Sequence, residues 1–114
     1  MLIVEDEVLI RMEAADMIRT AGFEVLEAEN ADEAIEILEC RLDIRVVFTD
    51  VQMPGSMDGL KLAAAISNRW PPIKIIITSG KQQPSRDAMP SGGVFLPKPY
   101  APETVAATIQ GLLA

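Results

Sequence analysis

Ile73-Lys74-Ile75-Ile76-Ile77-Thr78-Ser79-Gly80 carries three consecutive isoleucines and then, abruptly, two hydroxyls and a glycine. β-Branched residues favour a strand, and a strand with no polar face must be covered on both sides. Such strands belong inside parallel sheets flanked by helices. Working outward, Pro71-Pro72 stops a helix spaced over Gly59–Trp70, with Asp58 as its cap. Further upstream, Ile44–Thr49 reads as a second buried strand. Asn30 is placed to cap a helix over Ala31–Cys40, with Glu33 three residues on as in a capping box. Phe23–Ala28 alternates like a strand, Glu7–Ala21 has helical spacing and stops at Gly22, and Leu2–Val4 is the tail of a first strand. Downstream, Val94–Leu96 is a short strand and Pro102 opens a last helix ending near Leu113. Strand–helix alternation over 114 residues predicts one doubly wound α/β domain with a parallel sheet.

Composition narrows the chemistry. The chain has no histidine, which excludes a histidine base, a catalytic triad and histidine-ligated zinc. Cys40 is its only cysteine, which excludes an internal disulfide and a four-cysteine metal site. It is expected to pack as a small hydrophobe at a helix end. No apolar run approaches a membrane span, and Glu5, Asp6 and Glu7 interrupt the first apolar run before a signal peptide could form. A cytoplasmic location is expected. The net charge is −7, which argues against direct nucleic-acid binding. Residues 1–50 hold 14 acids and 4 basic residues, whereas 51–114 hold three acids and six basic residues, so the two halves differ in task or merely in solvated surface.

The strand ends hold the chemistry. Glu5 and Asp6 follow the first strand, Asp50 ends the third, Thr78 and Ser79 end the fourth, and Lys98-Pro99 follows the fifth. In open parallel sheets the ligand crevice lies outside these carboxyl ends. Two carboxylates at about 4 Å and an effective dielectric near 20 repel by about 4 kcal/mol, so the cluster needs a counter-charge. A hard divalent cation suits it, Mg²⁺ or alternatively Mn²⁺. Lys98 adds a fixed positive charge and Thr78 a hydroxyl donor, the parts phosphoryl transfer needs. Each residue also has a plainer reading. Glu5 and Asp6 could cap the first helix, Asp50 could be a turn acid, and Phe95 could be core.

Taken together, Ile3-Val4-Glu5-Asp6-Glu7, Thr49-Asp50-Val51-Gln52-Met53-Pro54-Gly55, Met57-Asp58-Gly59, Ile76-Ile77-Thr78-Ser79-Gly80 and Pro97-Lys98-Pro99-Tyr100 resemble the receiver domain of bacterial two-component response regulators over residues 1–114. The resemblance implies a flavodoxin-like, five-stranded parallel sheet in the order 2-1-3-4-5 with five helices. It implies that Asp50 accepts a phosphoryl group from a histidine kinase or a histidine phosphotransfer protein. It further implies an Mg²⁺ ion held by Glu5, Asp6, Asp50 and the backbone carbonyl of Gln52. Thr78 and Lys98 would stabilise the phosphoryl group, and Thr78 and Phe95 would form the switch. The resemblance also places Gln52 and Gly80 at neighbouring positions that in the family influence the lifetime of the phosphorylated form. The peptide before Pro99 is often cis in the family. Tyr100 and Trp70 are expected to be packing residues.

Two departures stand out. Both Gly55 and Ser56 separate Met53-Pro54 from Met57-Asp58-Gly59, where the family has one residue. Between Thr78 and Val94, Pro84 and Pro90 leave room for a short helix near Ser85–Met89 or an irregular loop, which could order on phosphorylation. A strand-end aspartate also serves phosphohydrolases of the haloacid dehalogenase type. That chemistry needs a second acid two residues on, and Gln52 stands there. A degenerate receiver acting only as a binding module is disfavoured by the intact acids, Thr78 and Lys98. No DNA-binding segment follows Ala114, so a stand-alone receiver or a part of a longer regulator is expected, with an unidentified downstream partner.

Overall fold

The computed structural model describes residues 1–52, 57–80, 84, 89–90 and 93–113. Its elements are β1 (Leu2–Val4), α1 (Val8–Thr20), β2 (Leu26–Ala28), α2 (Ala31–Cys40), β3 (Val46–Asp50), α3 (Gly59–Arg69), β4 (Lys74–Ser79), β5 (Val94–Pro97) and α4 (Pro102–Leu113). All strand pairings are parallel and the order is β2-β1-β3-β4-β5. The doubly wound α/β expectation and the strand order therefore hold. Four helices are present among the described residues. The expected short helix near Ser85–Met89 falls mostly on residues outside them, as does the extra residue at Gly55–Ser56.

Two apolar layers cover the sheet, as the unbroken isoleucines of β4 require. Ile75 and Ile77 join Leu38 of α2 and Leu62 and Ile66 of α3 on one face. Ile76 joins Ile18 of α1 and Val105 and Ile109 of α4 on the other. Alternating pleats send neighbouring side chains to opposite layers, so a fully apolar strand feeds both.

Local signals set most element ends. Asn30 Oδ1 accepts from the Glu33 amide at 2.8 Å. The return bond of the expected capping box goes to Glu29 rather than Asn30, whose neighbour's amide donates to Glu33 Oε1 at 3.3 Å. Asp58 Oδ1 caps α3 by accepting from the Lys61 amide at 2.9 Å. At the end of α1, Gly22 adopts a φ of 100°, its amide donates to the Arg19 carbonyl and the Phe23 amide to the Ile18 carbonyl. This is a Schellman closure, which needs the left-handed residue that glycine supplies. Two strands start later than expected. β2 begins at Leu26, not Phe23, and β3 at Val46, not Ile44. β1 first pairs at Leu2, opposite Leu26 and Val47, and β4 first pairs with β3 at Lys74, opposite Val46, so the earlier residues have no ladder to join. Phe23 packs instead against the α1–α4 layer. Cys40 is exposed rather than packed, because it closes α2 on the solvent side.

Candidate functional site

Register brings the functional side chains to one rim. Val4 pairs with Thr49, so Glu5 and Asp6 leave β1 beside Asp50. Asp50 pairs with Thr78, and Ser79 with Pro97, so Lys98 emerges at the same level. The Lys98 ammonium donates to Asp50 Oδ2 at 2.7 Å and lies 3.3 Å from Glu5 Oε1. Asp50 Oδ1 accepts from the Gln52 amide at 3.1 Å, so both of its oxygens are held. Glu5 and Asp50 are buried and Asp6 is half-buried. The Lys98–Pro99 peptide is cis.

The electrostatics follow from this crowding. Burial, then hydrogen bonding with Asp6 and Asp50 and the charge of Asp50, pushes the Glu5 carboxyl up to about 7, against a smaller opposing pull from Lys98. Burial alone would lower the Lys98 ammonium, yet its hydrogen bond to Asp50 and the charges of Asp50 and Glu5 hold it above its ordinary value. The Thr78 hydroxyl is buried and has no hydrogen-bond partner among the described residues. An unpaired buried hydroxyl costs about 1–3 kcal/mol, so it marks a place where an acceptor belongs.

Whether a divalent cation suits this rim can be judged from its donors. Among the described residues no three acidic side chains already enclose one point. Mg²⁺ needs only one or two carboxylates and completes its shell with water and other oxygens. Glu5 and Asp50, with Asp6 adjoining, supply hard oxygen donors alone, and the two buried carboxyl groups share a single ammonium, that of Lys98. The residues fit a hard dication.

The plainer readings fare unevenly. Glu7, not Glu5 or Asp6, is the N-cap of α1 and makes no side-chain capping bond; Glu5 Oε2 accepts from the Glu7 amide at only 3.4 Å. Tyr100 is a packing residue, its ring edge-on to Phe48 at 5.5 Å. Trp70 packs against the α2–α3 layer under the Arg69 guanidinium, 4.3 Å from its ring centre. Phe95 is half-buried and pairs with Ile77, whereas Thr78 pairs with Leu96, so Phe95 and Thr78 sit on opposite pleats of adjacent strands.

Three contacts at the rim were not legible beforehand. A Cβ on Gly59 would lie 1.9 Å from the Asp50 carbonyl oxygen, so α3 starts in direct contact with the β3 backbone. The Asp58-Gly59 pair hinted at a helix start, but not at this close approach. Ser79 Oγ donates to Gln52 Oε1 at 3.1 Å, tying the ends of β3 and β4. Arg11 donates through Nη1 to the Glu5 carbonyl at 2.9 Å.

A rim of this composition, on this sheet order, defines a flavodoxin-like α/β domain with its polar crevice at the strand ends, and comparison with known proteins specifies it. The family model of the response regulator receiver domain matches residues 1–110. The chain belongs to that family, the receiver domains of two-component signal transduction. It is 34% identical to the sensor kinase CckA of Brucella abortus (strain 2308), over 98% of this chain and 12% of the kinase. It is 35% identical to the chemotaxis protein CheY of Thermotoga maritima, over 96% of this chain and 92% of that protein. The chain thus spans a small fraction of the kinase and nearly the whole of CheY. A receiver domain protein from Clostridium thermocellum superimposes with a TM-score of 0.89 at 27% identity, covering 98% of this chain and 91% of that one. The response regulator TrrA of Thermotoga maritima, in complex with Mg²⁺-BeF, gives a TM-score of 0.84 at 25% identity, covering 97% and 96%. Among the described residues no helix is long and apolar enough to cross a membrane.

Proposed function

We propose that this domain accepts a phosphoryl group on Asp50 from the phosphohistidine of a histidine kinase or a histidine phosphotransfer protein. The observation that carries the reading is the buried Asp50 carboxylate held by Lys98 and the Gln52 amide, in register beside the unpartnered Thr78 hydroxyl. A carboxylate oxygen of Asp50 attacks phosphorus, the O–P bond forms, the P–N bond to the donor imidazole breaks, and the imidazole leaves with a proton. Lys98 stays with the transferred group and balances its charge. Thr78 turns its hydroxyl to a phosphoryl oxygen, which ends the cost of leaving it unpaired. Phe95, half-buried on the adjoining strand and on the opposite pleat, responds to that turn through the β4–β5 ladder, and the change passes outward to a downstream protein or an output domain.

Glu5, Asp6, Asp50 and the Gln52 carbonyl would hold Mg²⁺, with Mn²⁺ as the alternative. When bound, the ion supplies neutralisation of the charge that builds on the phosphoryl oxygens. The similar TrrA is in complex with Mg²⁺-BeF, which supports Mg²⁺ as the ion. The domain acts as a signalling switch in the cytoplasm, touching neither membrane nor nucleic acid itself, and assists its own phosphorylation and hydrolysis rather than turning over a free substrate.

Incubation with acetyl phosphate and Mg²⁺, followed by intact mass measurement, tests the reading. One phosphoryl group should be gained per chain, and chelation of the ion should prevent it. A chain that gains none with Mg²⁺ present would contradict the reading.

A further inference from the structure

Arg11 lies in α1 with its side chain only 15% exposed, and its guanidinium is used twice. Nη1 donates to the Glu5 carbonyl at 2.9 Å, and Nε donates to Glu27 Oε1 on β2 at 3.3 Å. Glu27 is itself held from the other side, where Arg19 Nη2 reaches its Oε2 at 3.3 Å and also donates to the Val25 carbonyl at 3.1 Å. The strip Arg19–Glu27–Arg11 therefore anchors the turn carrying Glu5 and Asp6 to the edge strand. The fork geometry of arginine permits this, since one planar group can serve a carbonyl and a carboxylate together.

We infer that Arg11 is a positioning residue for the acid pair: it fixes the Glu5–Asp6 turn in the shape that binds a divalent cation. The inference rests on the proposed function, in which those acids hold Mg²⁺. Charge and geometry act here with opposite signs. A fixed cation near the rim repels a dication, so its removal by charge alone would tighten Mg²⁺ binding. The Glu5 amide keeps its own bond to the Ala28 carbonyl at 3.0 Å, so loss of the clamp loosens the turn on its carbonyl side and weakens binding, as loss of an outer partner of a metal ligand does.

The test is calorimetric titration of the full chain with Mg²⁺ alone, in wild type, Arg11→Gln and Arg11→Lys. Amide exchange at Asp6 and Glu7 is followed in ion-free buffer. Arg11→Gln should bind Mg²⁺ about tenfold more weakly and should exchange faster at both amides. Arg11→Lys keeps the charge and loses the fork, so it has no compensating gain and should also bind more weakly than wild type. Equal or tighter binding in Arg11→Gln overturns the inference. If Arg11→Gln does not fold, Arg11→Lys decides alone: weaker binding supports the clamp and unchanged binding overturns it. A wild type that binds no Mg²⁺ defeats the functional reading itself, a failure distinguishable from wild-type binding that the variants leave intact.

Discussion

Thr78 shows how one atom can keep a residue in waiting. Its hydroxyl is buried without a partner among the described residues, a cost that an arriving acceptor would remove. Thr78→Val removes the hydroxyl and nearly keeps the shape. It should raise the stability of the ion-free protein by about 1 kcal/mol in urea unfolding, and a loss of stability would contradict the assignment. Glu5 carries the opposite kind of tension. Its folded carboxyl is raised from 4.5 to about 7, so the folded protein holds that proton more tightly than the unfolded chain. Its contribution is therefore most favourable below about 4.5, declines as pH rises and levels out above about 7. Urea unfolding across this range without divalent ions should show that decline, and Glu5→Gln should flatten it. An unchanged slope in Glu5→Gln would place the titrating group elsewhere.

Among the elements, the caps were readable and the contacts between elements were not. Asn30, Asp58 and Gly22 act through bonds to groups within five residues, so their role is written in local order. The late start of β2 depends on where β1 begins pairing and that of β3 on where β4 does, neighbours distant in sequence. The start of α3 combines both cases. Asp58→Ala removes a cap and should cost about 1 kcal/mol. Gly59→Ala drives a Cβ into the Asp50 carbonyl, a backbone atom that no side-chain rotation can move aside. It should cost about 1–3 kcal/mol, more than Asp58→Ala, and a chemical-denaturation series comparing the two checks the order. Equal losses would show that α3 can shift away from β3 without penalty.

At the scale of the molecule, parallel topology does the gathering. Glu5, Asp50, Thr78 and Lys98 come from four strand ends, and the shared direction of those strands makes them neighbours. Their identity was legible because each follows an apolar run and bears a charge or hydroxyl that no core requires. The pairing of Lys98 with both acids follows from charge. Arg11 was not legible, because its partner at the rim is a main-chain carbonyl, which leaves no mark in side-chain pattern. Nor was the empty-handed hydroxyl of Thr78, since only burial reveals what a group lacks.

The central claim is that Asp50, and no other acid, becomes the mixed anhydride. The most direct measurement is borohydride reduction of the chain after treatment with acetyl phosphate and Mg²⁺, with the reduced residue located by peptide sequencing in a mass spectrometer. Reduction of an acyl phosphate converts aspartate to homoserine at the labelled position. The account predicts homoserine at position 50 and none in Asp50→Asn; homoserine at any other position, with Asp50 untouched, would contradict it.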